Sequence, residues 1–90
     1  MTIAGHAPIA SNALVKTGPG SVIAAHLAAP TADSTLILYD NTAGSGTILA
    51  TLAAAAKGAD DFCPGVGIAF SIGCYAAISG SGAAGTVVYL

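Results

Sequence analysis

A chain of 90 residues and 8.5 kDa makes one small domain at most, and 54% of it is hydrophobic while only 7% is charged. Ordinary domains carry about a quarter charged residues. The deficit excludes a disordered tail, a coiled coil, which needs flanking charge pairs, and an electrostatic nucleic-acid surface, because two lysines neutralise few phosphates.

Residues 1–12 show no clear periodicity, since Gly5, Pro8, Ser11 and Asn12 interrupt any helix or strand. They are read as an extended N-terminal arm that lies on a neighbour, with Ile3 and Ile9 as its apolar contacts, or else as a frayed terminus. A single β domain is expected over 13–90. A short strand at 13–16 leads to the turn Gly18-Pro19-Gly20, a strand at 21–28, and a loop at 29–34 around Pro30. The β-branched and aromatic run 35–39 is the best strand of the chain, stopped by Asp40-Asn41. Residues 41–46 form a hairpin loop, and 47–52 pair back onto 35–39. The four alanines 53–56 fit either a strand or a helix.

Residues 57–61 hold three of the six charges and are read as a polar loop. From Val66 the apolar residues alternate with period 2 through Ile78, too long for one ordinary strand, so Gly73 is expected to divide it. A glycine-rich loop at 80–85 precedes a last strand at 86–90. Six to eight short strands with Gly/Pro turns predict an all-β domain, a small antiparallel β-sandwich or barrel, either jelly-roll or immunoglobulin-like.

Chemical motifs are few. Gly80-Ser81-Gly82-Ala83-Ala84-Gly85 matches the dinucleotide fingerprint in letters, but only five strand-like residues follow, so no helix can present its N-terminus to a pyrophosphate. Ala69-Phe70-Ser71-Ile72-Gly73 is a degenerate nucleophile elbow in a chain far too short for that fold, and Ser71 is read as a sheet residue. His6 and His26 are the only histidines; with the four aspartates they offer a base–carboxylate pair that the spacing does not support. Asp60-Asp61 falls short of the oxygens calcium needs. No catalytic residue, cofactor or metal is expected, and the chain is read as not an enzyme. Cys63 and Cys74 have no zinc spacing; they are read as two small buried thiols, with a bridge between adjacent strands as the alternative. Tyr39, Tyr75 and Tyr89 suit an interface, being apolar along the ring and polar at the tip, with ordinary core or rim packing as the alternative.

Residues 62–90 carry no charge and are long enough to cross a bilayer, which takes about 20 residues. Pro64, the six glycines and the alternation favour strands and turns; a small membrane protein using 62–90 is the alternative. The first fifteen residues hold no Lys or Arg and no compact apolar run, so the chain is expected to be made and used in a cytosol, or released by lysis. With so few charges on a domain of this size, much of the outer surface is neutral or apolar, and such patches mark interfaces. The chain is expected to sit against other chains.

The run Thr35-Leu36-Ile37-Leu38-Tyr39-Asp40, then Gly46-Thr47-Ile48-Leu49, Phe62 before Pro64-Gly65-Val66, Phe70, Gly73-Cys74-Tyr75-Ala76, Ile78-Ser79-Gly80 and Val87-Val88-Tyr89-Leu90 resembles small β-sandwich virion proteins of tailed bacteriophages. The resemblance covers about residues 13–90. It implies a head decoration or cement protein that binds the major capsid protein on the capsid surface as a homo-oligomer, commonly a trimer, with no direct nucleic-acid or membrane contact. A tail- or fibre-associated module is the alternative within the same resemblance.

Overall fold

A computed structural model of the chain describes residues 5–63 and 67–90. They form nine strands: β1 (Gly5–Ile9), β2 (Ala13–Thr17), β3 (Gly20–Ala29), β4 (Ser34–Asp40), β5 (Thr47–Ala54), β6 (Gly58–Phe62), β7 (Ile68–Phe70), β8 (Gly73–Ser79) and β9 (Ala84–Tyr89). All pairings are antiparallel and the strands make two packed sheets. Among the described residues no helix is long and apolar enough to cross a membrane.

The pairings are nested. Leu38 pairs with Ala50 across the hairpin, Ala25 with Phe62, Val22 with Ile68, Leu14 with Tyr75 and Gly5 with Tyr89. The chain is thus one long double ribbon, folded back at 41–46. The ribbon then wraps on itself, so that β9 also pairs with β3 and β8 with β4. Sheet A has the order β1-β9-β3-β6, with β7 beside β6 on the same flank of β3; sheet B has the order β2-β8-β4-β5. A wrapped double ribbon split between two sheets is the jelly-roll topology, and it decides between the two sandwich types.

Alternation fixes which side of each strand is inside. Sheet B contributes Leu36, Leu38, Ala50, Leu52, Cys74 and Ala76; sheet A contributes Ile9, Val22, Ala25, Leu27, Phe70 and Val87. Gly85 faces Leu36: a Cβ there would stand 2.6 Å from the His26 carbonyl oxygen and 3.3 Å from Leu36 Cδ2, so only glycine allows the sheets this approach.

Several expectations change. The arm segment 1–12 contains β1, paired with the chain's own β9, and Ile9 is 2% exposed inside the core; Ile3 lies outside the described residues. The polar loop expected at 57–61 is largely strand β6, because its edges pair with β3 from Ala25–Phe62 to Ala29–Gly58. β5 runs on to Ala54, resolving the first alanines as strand. The long alternation breaks at Ser71-Ile72 rather than at Gly73, which begins β8. Cys63 is exposed, only Cys74 is buried, and both are free thiols.

Each sheet edge carries a feature that discourages further strand addition. β1 carries Pro8, and β2 carries Lys16 and a register shift between Leu14 and Lys16. At the seam between the sheets, Asp60 points inward from β6, and its Oδ2 accepts the Ala53 N–H of β5 at 3.2 Å. β5 is also shifted in register opposite Leu38 and Tyr39.

Candidate functional site

The outer face of sheet B holds a cross-strand row. Leu14 of β2 pairs with Tyr75 of β8, Tyr75 with Tyr39 of β4, and Tyr39 with Ile48 of β5. One residue from every strand of the sheet thus lies in one line. Leu14 is 45% exposed and Ile48 53%, while the two tyrosines between them are half-buried. Directly opposed aromatic and aliphatic pairs of this kind stabilise a sheet by about 0.2–1 kcal/mol each. They also leave an apolar strip in water. Behind it lie Ile37, Ala77 and Thr51, and then Thr35 and Ser79, whose hydroxyls bond at 2.6 Å. The face grades from aromatic to hydroxyl along the strands and carries no acidic or basic side chain.

The hairpin loop borders the aromatic end. Asn41 shapes it: its Nδ2 donates to the Ser45 carbonyl at 2.8 Å and its Oδ1 accepts the Thr42 N–H at 2.8 Å. Gly44 rests on the Tyr75 ring, where a Cβ would come within 3.2 Å of Cε1.

Asp40 ends β4 beside this loop and holds the β7–β8 corner. Its Oδ1 accepts the Ile72 N–H at 2.9 Å, the Ser71 N–H at 3.1 Å and the Gly73 N–H at 3.4 Å; Oδ2 accepts the Ser71 hydroxyl at 3.4 Å. The Ile72 N–H does most to hold the carboxyl below its ordinary value, with Ser71 and Gly73 adding, against a smaller opposing effect of desolvation. Ser71 therefore lies at the corner between β7 and β8 rather than within a strand, which corrects its expected place as a sheet residue. Burial, with the negative charge of Asp40 adding, pushes the Cys74 thiol up to about 11.

The outer face of sheet A differs. His26 lies opposite Asp61, and His26 Nδ1 bonds Asp61 Oδ1. The pair is open to water, with side chains 50% and 76% exposed, so it adds little to stability. It borders a groove of about 380 Å³ that Ala24, Phe62, Cys63 and Val88 also line. Sequence spacing gave no sign of this base–carboxylate pair, because strand register alone joins residues 35 apart. Among the described residues no group of three or more His, Cys, Asp or Glu side chains is placed to hold a metal ion.

Of the expected interface residues, the structure brings Tyr39 and Tyr75 together. It sets Tyr89 apart: that residue shares the inward parity of Val87, and its ring lies against Gly5, where a Cβ would stand 3.0 Å from Cζ. Leu14 and Ile48 are additions. No family model, curated protein or solved structure matches the chain.

Proposed function

We propose that this chain is a non-enzymatic structural protein of a virion, a capsid decoration or cement subunit of a tailed bacteriophage that binds the major capsid protein on the head surface and also associates with copies of itself. The observation that carries this reading is the uncharged outer face of sheet B, with Leu14 and Ile48 exposed at its two ends. Soluble monomers seldom leave such a strip uncovered, and burial against protein is what it is suited to. The jelly roll is shared by viral capsid, lectin and cupin domains, so the fold agrees with the reading by analogy alone. Many weak sites on a shell gain strength by multivalency, so no single contact need be tight. The trimeric state belongs to the resemblance described above.

The test is the copy number of the chain in purified particles, measured by quantitative mass spectrometry against the major capsid protein. Hundreds of copies per particle, removable from the shell without loss of the tail, are expected. A handful of copies would move the chain to the tail or a fibre. Its absence from particles would overturn a virion role.

A further inference from the structure

We infer that the outer face of sheet B is the self-association surface, and that its occupant is a second copy of this chain related by a two-fold axis running along the strands. The inference deepens the self-association part of the function proposed above and rests on it. The row is near-palindromic across the sheet: aliphatic Leu14, Tyr75, Tyr39, aliphatic Ile48. A two-fold axis between β8 and β4, parallel to them, sets Leu14 over Ile48 of the second copy and Tyr75 over its Tyr39. Because the axis follows the strands, each residue keeps its height. The aromatic row meets the aromatic row, and the Thr35–Ser79 hydroxyl row meets its own image.

Charge and area agree with this occupant. Packing this face on its own copy takes no acid or base out of water, because none lies on it. Face A carries the His26–Asp61 pair, on β3 and the edge strand β6. The two longer dimensions of the molecule are 37 and 26 Å, so a footprint on the order of 800 Å² per partner, the usual size of a specific interface, fits within the face. Sheets packed this way are the ordinary aligned sandwich contact.

The experiment is light scattering on a sizing column with wild type, Leu14→Lys, Ile48→Asp and the double variant. Both positions are about half exposed, so neither substitution disturbs the core. Wild type is expected at twice the 8.5 kDa chain mass, and each single variant at the chain mass. In the double variant each lysine meets an aspartate of the other copy, so the dimer returns and weakens as salt is raised. A wild-type trimer would overturn the two-fold inference and leave the cement reading standing. A monomer that still binds particles would assign the face to the shell protein instead. A dimer unmoved by either single variant, or a double variant that stays monomeric, would place the contact elsewhere. Particle copy number reads the function separately.

Discussion

Leu36→Ala, set beside Ile37→Ala, tests the fold at its most informative point. Leu36 is 0% exposed, in a strand paired on both sides, and it faces Gly85 across the sandwich. The substitution removes three carbons, about 2.4 kcal/mol at about 0.8 kcal/mol each. The cavity adds to this, because Gly85 has no side chain to move in and both flanking strands are fixed by their ladders; about 4 kcal/mol in all is expected. A domain of 90 residues holds about 5–13 kcal/mol, so the variant loses a large share of its stability. Its melting temperature falls by roughly 15–30 °C. Ile37 is the next residue but points to the outer face and is half-buried. Its truncation costs about 1 kcal/mol in dilute, monomeric protein. Urea unfolding followed by circular dichroism measures both. Equal losses would mean that the inward and outward sides of β4 are wrongly assigned, and with them the whole face described above.

Asp40→Asn destabilises at neutral pH. Because the folded carboxyl lies below its ordinary value of 3.8, its contribution is present above that value and is lost as pH falls through the lowered one. The stability difference between wild type and variant therefore shrinks to nothing in strong acid, and a difference independent of pH would show that the corner bonds do not act through the charge. Gly80→Ala costs about 2–4 kcal/mol, since φ is +114° and the new Cβ would lie 2.2 Å from Ser34 Oγ. Gly18→Ala, at φ +88° with open space around it, costs only about 1 kcal/mol; equal values by denaturant titration would rule out the clash. A water-soluble aromatic disulfide reagent titrates one thiol, Cys63, in native protein and a second, Cys74, only after unfolding. Two thiols released at once without denaturant would contradict the burial of Cys74.

Strands whose own side chains alternate were legible, and strands defined by their partners were not. β4 and β8 announce themselves by alternation: β4 is β-branched or aromatic on its outer side at Thr35, Ile37 and Tyr39, and β8 sets buried Cys74 and Ala76 against outward Tyr75, Ala77 and Ser79. β6, with the sequence Gly58-Ala59-Asp60-Asp61-Phe62, reads as a loop because its apolar share is small. Its strand form comes from the β3 ladder, and its inward Asp60 is an edge device that propensity scores as a turn. β1 is similar: Gly5 and Pro8 argue against a strand, yet Ile9 is drawn into the core and Pro8 is tolerated on an edge. The site follows the same division. Tyr39 and Tyr75 were recognisable as residue types suited to an interface. Their adjacency depends on the register of two strands 36 residues apart in the ribbon. Tyr89, chosen on the same grounds, has the opposite parity.

What remains open to a partner decides how the molecule assembles. The edges are blocked by Pro8, by Lys16 with a register shift, and by Asp60 at the seam, so growth by strand addition is discouraged. That leaves the two faces, and they are not equivalent. Stacking face B of one copy on face A of the next would be head-to-tail, and repeated it would give an open fibre. It would also bury Asp61 against the tyrosine row with only His26 as partner, and a desolvated carboxylate is costly unless fully bonded. Packing B on B buries no charge and uses the same patch on both copies, so association stops at two. Face A then stays outward on both sides of the pair, carrying its groove and its His26–Asp61 pair.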